Sequence, residues 1–257
     1  MLLTEPPPLP RFGLHAERYR EHRLAYSTDM FSAMLGVVGH DKHLAIDLGA
    51  GTGQATGTLL DNFDRVVAVE PDAEMAALIP NHDHLDVWVE RAEDAICPPG
   101  SVDAVVAATA YHWMDQDLIA RKVFNWLRPG GVFLAFAYDV VGWKPAPVQG
   151  LVHRRHGDWK SCMHARLTSN YDYAEVLQAV DLYEDVQALR AVIEQTMTPE
   201  SAAGFLMTTS YASLYARRTS DEASYEVKLA DDIKTAARGQ KIVARFPMVG
   251  ALAVKAA

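Results

Sequence analysis

Two apolar runs in this chain end in acids, and the residues after each acid say what the pair could hold. The first, Ala45-Ile46-Asp47-Leu48, leads into Gly49-Ala50-Gly51-Thr52-Gly53-Gln54, with glycines on alternate positions. Glycine tolerates positive φ and carries no Cβ, so such a turn bends sharply and lets a ligand approach the backbone. The second, Arg65-Val66-Val67-Ala68-Val69, ends in Glu70-Pro71-Asp72, with Glu70 nineteen residues after Gly51. A carboxylate at the tip of a second strand, beside a glycine turn at the tip of the first, can accept hydrogen bonds from both hydroxyls of a ribose. A dinucleotide site is the competing reading, and it wants G-x-G-x-x-G. Here Gln54 occupies the place of the third glycine and Asp47 stands two residues before the first, which argues for a ligand with no phosphate on the turn.

The pair of motifs resembles the class I S-adenosylmethionine-dependent methyltransferases of the Rossmann-like type, and further motifs come in that family's order. Val89-Glu90-Arg91-Ala92-Glu93-Asp94-Ala95, then Pro98-Pro99-Gly100-Ser101-Val102-Asp103, is similar to the segment that holds the adenine ring. Thr109-Ala110-Tyr111-His112-Trp113-Met114-Asp115 resembles the His-Trp-aromatic-Asp signature of one subgroup. That subgroup contains trans-aconitate methyltransferase, its fungal relatives and the ubiquinone/menaquinone biosynthesis methyltransferases. Met114 replaces the usual aromatic, which leaves the subgroup open. Tyr19-Arg20-Glu21-His22-Arg23-Leu24-Ala25-Tyr26 is similar to a Tyr-x-x-x-Arg-Pro-x-Tyr pattern that covers the cofactor, with Leu24 in place of proline. The likeness covers residues 11 to 138 well and the remainder in outline.

What the resemblance implies is specific. S-adenosyl-L-methionine is the cofactor, held by Tyr19, Arg23, Asp47, Gly49, Ala50, Gly51, Gln54, Glu70, Pro71, Ala92, Glu93 and Thr109. Arg23 is expected on its methionine carboxylate. Ala92 and Glu93 would meet the adenine mainly through backbone groups. His112 and Tyr111 are the catalytic candidates, and Tyr26, Trp113 and Trp143 face the acceptor. Each has a plainer alternative. Asp47 caps the glycine turn, Glu70 is an ordinary strand-end acid, and Tyr19 and Tyr26 pack on an amphipathic helix. His112 titrates near neutral pH and could act as a general base, although the preferred reading makes it a structural histidine beside the pocket.

The elements that must position these groups alternate strand and helix from Leu44 to Ala137, which predicts right-handed crossovers and a parallel sheet with helices on both faces. The fold class is therefore α/β, and the resemblance makes it a Rossmann-like, mostly parallel seven-stranded sheet with an antiparallel last strand and a helical cap. Residues 1–40 form an N-terminal helical lid, with one helical region from Leu14 to Leu35. Residues 41–138 and 186–257 form the cofactor-binding core, and 139–185 a substrate-facing cap containing Tyr171, Tyr173 and Tyr183. Gln116 to Leu127 reads as an amphipathic helix closed by Arg128-Pro129-Gly130-Gly131. Val186 to Thr196 reads as a strand, Pro199 to Thr209 and Glu222 to Arg238 as helices, and Lys241 to Lys255 as the last strand.

Composition narrows the partners. The 257 residues suffice for one α/β domain with an elaboration or two small domains. Cys97 and Cys162 lie in unrelated segments, and neither they nor the histidines show metal-ligand spacing, so no metal is expected. Two such cysteines suit a reducing cytoplasm, and because the proline-rich start is unlike a secretory signal and no stretch approaches the length of a membrane span, no membrane partner is expected. A net charge of -9 argues against nucleic acid. His153, Arg154, Arg155, His156, Lys160 and Arg166 make one local basic patch, either a solvated helix face or an anchor for an anionic substrate. The sequence carries no signal for an oligomeric state.

The partner is a small-molecule methyl acceptor, and its atom decides what the protein must supply. In-line displacement asks mainly for alignment and a dry pocket. A carboxylate oxygen arrives ionised and needs cations but no base; a phenol or amine asks for a base such as His112; a carbon asks for an enolate-like or aromatic nucleophile. The subgroup likeness and Arg154, Arg155 and Arg166 favour O-methylation of a small carboxylic acid, with N-, phenol O- or C-methylation in secondary-metabolite or quinone biosynthesis as alternatives. A protein that binds S-adenosylmethionine without catalysis is the alternative of another class.

Overall fold

The computed structural model describes residues 12–40, 42–138, 141–167 and 172–256; the proline-rich start and Tyr171 lie outside the described residues. The strands are β1 (Leu44–Leu48), β2 (Arg65–Val69), β3 (Leu85–Trp88), β4 (Val102–Ala108), β5 (Leu127–Tyr138), β6 (Gly142–Lys144), β7 (Asp185–Met197) and β8 (Ile242–Val254). The helices are α1 (Ala16–His22), α2 (Thr28–Val38), α3 (Thr56–Leu60), α4 (Ala73–Ala76), α5 (Gln116–Trp126), α6 (Ala146–Trp159), α7 (Tyr173–Ala179), α8 (Pro199–Met207), α9 (Ser210–Thr219) and α10 (Glu222–Ala237).

The sheet order is β3-β2-β1-β4-β5-β8-β6, with β7 also paired to β8. The first five strands are mutually parallel and β8 runs antiparallel to β5. The α/β class and the antiparallel last strand are those expected, while the described residues form an eight-stranded sheet where seven strands were implied. The extra strand is β6, three residues long, at the far side of β8.

The strands are apolar on both faces because both faces are covered. Ile46, Leu48, Phe133, Ala135 and Ala137 belong to one core cluster. Their neighbours Ala45, Val132, Leu134 and Phe136 belong to another, as the period of two requires. A fully buried Phe such as Phe133 contributes about 2 kcal/mol. Gly250 in β8 is dictated by close approach, since a Cβ there would lie 2.5 Å from the Ala135 carbonyl oxygen. Asp103, buried at the start of β4, accepts the backbone N–H groups of His43 (2.9 Å) and Leu44 (2.7 Å) and pairs with Arg128. One carboxylate thus ties the beginnings of β1, β4 and β5 together.

The chain divides into two compact units. The first comprises Leu24–Gly142, Asn170–Glu194 and Arg245–Ala257, and the second Met1–Arg23, Trp143–Ser169 and Gln195–Ala244. Three expectations change. The helical region from Leu14 to Leu35 is broken: α1 ends at His22, Arg23 is extended at φ −75° and ψ 138°, and the Ser27 hydroxyl caps α2 by accepting the Asp29 N–H at 3.2 Å. Serine as an N-cap starts a new helix rather than prolonging one. Next, α7 lies in the stretch assigned to the cap but packs in the first unit. Tyr173, Ala174, Leu177 and Val180 form one apolar helical face buried in the cluster with Tyr111 and Trp126. Finally, the helix from Pro199 is followed by a separate α9, not foreseen from the sequence. No described helix is long and apolar enough to cross a membrane.

Candidate functional site

The carboxyl ends of β1, β2 and β4 bring the sequence-derived groups of the first unit together, where ligands bind in open parallel sheets. Gly49, Gly51 and Gly53 have φ of 70°, 61° and 93°, the left-handed region that glycine alone adopts without strain. The turn is anchored to the next strand, with the N–H groups of Gly49 (2.8 Å) and Ala50 (3.1 Å) both donating to the Val69 carbonyl. A Cβ on Gly49 would lie 2.5 Å from the Ala110 Cβ, so the chain after β4 presses directly on the turn.

Glu70 is 7% exposed and spans two backbone donors, Gly51 N–H on Oε2 (2.9 Å) and Asp72 N–H on Oε1 (3.0 Å). Burial pushes its carboxyl above the usual range, and those two hydrogen bonds oppose the rise. The carboxylate therefore stands fixed beside the glycine turn. Pro71 comes next, on the surface.

Asp47 is fully buried at the end of β1. Its Oδ2 accepts the Thr56 hydroxyl at 2.7 Å, while Oδ1 is buried with no hydrogen-bond partner. Desolvation raises its pKa to about 7, the Thr56 bond opposes this, and the Glu70 charge adds to it. Across the sheet at the end of β4, Thr109 is a non-glycine residue at φ 58°, with a buried Oγ1 that likewise lacks a partner. Orphaned buried oxygens and a strained backbone mark a place shaped for a ligand. Adjacent strand tips thus offer two uncommitted acceptors beside a Cβ-free turn and a fixed carboxylate. These residues fit a ribose-bearing cofactor that carries hydrogen-bond donors.

Other sequence-derived residues take their places around this cradle or away from it. The Gln54 amide donates to the Thr52 hydroxyl at 2.7 Å within the turn. Ala92 is buried, and Glu93 accepts the Asp115 N–H at 3.0 Å and pairs with Arg91 at 3.2 Å, so its side chain holds the start of α5. The Tyr26 hydroxyl donates to the Ala108 carbonyl at 3.3 Å, which puts it at the tip of β4. His112 is buried, its Nδ1 3.1 Å from the Tyr173 hydroxyl, and its ring lies 5.0 Å from that of the half-buried Trp113.

Tyr111 corrects its catalytic assignment. It is fully buried, its hydroxyl donates to the Gln116 carbonyl at 2.7 Å, and burial drives its pKa further up. A phenol committed to the backbone inside the core does not reach a substrate. In the second unit, Arg23 lies 4.8 Å over the Tyr19 ring and 5.5 Å from that of Phe205. Trp143 is buried there, 6.3 Å from Phe205, as a core residue rather than an exposed wall. The basic patch also separates: Arg155 pairs with Asp232 (2.7 Å) and Asp158 (3.4 Å), while His156 packs against Trp159 and Tyr211.

Sequence reasoning missed Thr56, Asp72 as a backbone donor and Ala110, and it placed Tyr173 in the cap rather than against His112. Thr56 alone left a signal, a polar residue one turn past a glycine loop; the others are pairings that only folding creates. No group of three or more His, Cys, Asp or Glu able to hold a metal ion occurs among the described residues.

Comparison with known proteins agrees with this geometry. A methyltransferase-domain family model matches residues 46–135, the span from β1 through β5. A provisionally named methyltransferase of Dictyostelium discoideum is 28% identical over 159 residues, 60% of this chain and 60% of its own length. An uncharacterized methyltransferase of Mycobacterium tuberculosis is 35% identical, but the chain spans only 49% of it. A ubiquinone/menaquinone biosynthesis C-methyltransferase of Rubrivivax gelatinosus is 27% identical over 79% of this chain and 88% of its own. A solved structure from Anaeromyxobacter dehalogenans, provisionally named a type II methyltransferase, superposes with a TM-score of 0.71 at 28% identity, covering 89% of this chain and 97% of that one. Strand-tip acid, glycine turn, sheet order and these likenesses converge: residues 46–135 match a methyltransferase domain, and the findings together support a class I S-adenosylmethionine-dependent methyltransferase.

Proposed function

We propose that this protein transfers a methyl group from S-adenosylmethionine to a carboxylate oxygen of a small organic acid. The observation that supports the cofactor half is the cradle at the strand tips, with Glu70 held by two backbone N–H groups beside a turn of positive-φ glycines. When bound, the cofactor supplies an electrophilic methyl carbon on a positively charged sulfur. Glu70 is the acceptor for the ribose hydroxyls, and Asp47 Oδ1 and Thr109 Oγ1 take further donors. Gly49, Ala50 and Gly51 let the ligand lie against the backbone.

The acceptor half rests on what His112 is already doing. Its imidazole is buried and bonded to the Tyr173 phenol, which makes it a positioning residue for the Tyr111–Trp113 turn. A carboxylate nucleophile is ionised at neutral pH, so its methylation moves no proton and asks only for alignment and exclusion of water. Carbon is the second reading, favoured by the Rubrivivax relative whose name states C-methylation.

Incubation with methyl-labelled cofactor and a panel of small acids, phenols, amines and aromatic carbon nucleophiles tests the proposal. Label released as methanol by mild alkali is expected, because only an ester is cleaved so readily. Alkali-stable label on a carbon acceptor would establish the second reading instead. Tight cofactor binding with no transfer to any acceptor would replace catalysis by a binding function.

A further inference from the structure

A cavity of about 370 Å³ lies wholly within the second unit, between the 12–19 segment, the stretch 161–164, and the end of α8 with α9. That volume falls in the range of small-molecule sites. Its lining contains no aspartate or glutamate, and Phe12, Tyr19, Met163, Met207 and Leu214 give it apolar walls. Two arginines of α9 reach it. The charge of Arg217 is already matched, since the guanidinium bonds Glu222 at 2.9 Å and also meets His15. Glu222 is itself shared with Arg18 and His15, so this acid offers nothing further to the cavity.

Arg218 differs. Its guanidinium contacts the Cys162 sulfur at 3.6 Å, and among the described residues no carboxylate pairs with it. Arg218 is an exposed residue and a thiol is a weak acceptor, so most of the planar donor fork faces solvent at the cavity, where a ligand can take it. Ser161, His164 and Ser210 supply further polar groups on the same lining. A fork of this kind is complementary to a carboxylate, which it binds through two parallel hydrogen bonds.

We propose that this cavity binds a small organic acid, its carboxylate on Arg218 and its apolar body against Tyr19, Met207 and Leu214. The site is built without any residue of the strand-tip cradle, so it does not rest on the methyl-transfer reading. The acid is either the methyl acceptor or a separate ligand of the same chemistry.

Ligand-observed NMR on the full chain without cofactor, with phenylacetate as probe, tests the proposal. Saturable binding of phenylacetate is expected, with phenylacetamide and inorganic phosphate each at least about tenfold weaker. Arg218→Met should weaken phenylacetate about tenfold, and Arg218→Lys by less. Bound phenylacetate should also slow alkylation of Cys162 by iodoacetamide and leave that of Cys97, which lies outside the cavity, unchanged. Equal binding of acid and amide, wild-type affinity in Arg218→Met, or an unprotected Cys162 would overturn the proposal. The acid-to-amide comparison on the wild-type chain decides it even if a variant fails to fold. Adding labelled cofactor then separates the sources: label on the bound acid identifies the acceptor, and unlabelled bound acid a separate ligand.

Discussion

Replacing Asp47 with asparagine should alter how stability depends on pH, in a direction that the structure dictates. The side chain is fully buried, and its pKa rises from 3.8 to about 7, chiefly because burial penalises the charged form. An acid whose pKa rises on folding holds its proton more tightly in the native state than in the unfolded chain. Its contribution to stability is therefore greatest below about pH 4, declines as pH rises to about 7, and is constant above that. At ~1.4 kcal/mol per pKa unit, the whole window is worth at most about 4 kcal/mol, and the part above pH 5 about 3 kcal/mol. Asparagine does not titrate, and its amide oxygen can still accept the Thr56 hydroxyl. Urea unfolding followed by tryptophan fluorescence, at pH 5 and pH 8 and constant ionic strength without ligand, isolates the effect as a difference between variant and wild type. The variant should gain about 3 kcal/mol relative to wild type on going from pH 5 to pH 8. A difference that stays the same at both pH values, or shifts toward the wild type at pH 8, would show that Asp47 is not the strained acid described here.

Three further outcomes rest on the same geometry. Glu70→Gln should weaken S-adenosylmethionine binding by calorimetry about tenfold or more, because a charged acceptor becomes a neutral one; unchanged affinity would remove Glu70 from the site. Gly49→Ala should cost about 1–3 kcal/mol in urea unfolding, since the new Cβ meets Ala110 at a positive φ, and wild-type stability would contradict that packing. His112→Ala should lower stability by about 1–3 kcal/mol through loss of its partner for the buried Tyr173 hydroxyl. The same variant should leave the pH profile of carboxylate methylation unaltered, and loss of the fall in rate on the acid side of that profile would restore His112 as a base.

Much of this was legible in the chain because the signals are local. β2 spans Arg65–Val69 as expected, and the expected last strand lies within two residues of β8. A buried strand must be an unbroken apolar run, and a turn with positive φ must use glycine. Those constraints act on neighbouring residues and leave their mark in order. The break between α1 and α2 was equally local, written in Ser27, and was overlooked. The α7 placement was not local: its apolar face shows that it is buried, not which unit receives it.

Residue types and spacing by themselves determined the α/β class, the glycine turn and the acid at each strand tip, because each depends on what one short segment can adopt; the cofactor followed from the family resemblance that those motifs carry. Tertiary structure decided which oxygens remain unpartnered at Asp47 and Thr109, that Tyr111 is core, that Tyr173 meets His112 across 61 positions, and that Arg218 faces a cavity without an acid. These depend on burial and on contacts between distant segments, whose energies arise only when the chain has closed on itself.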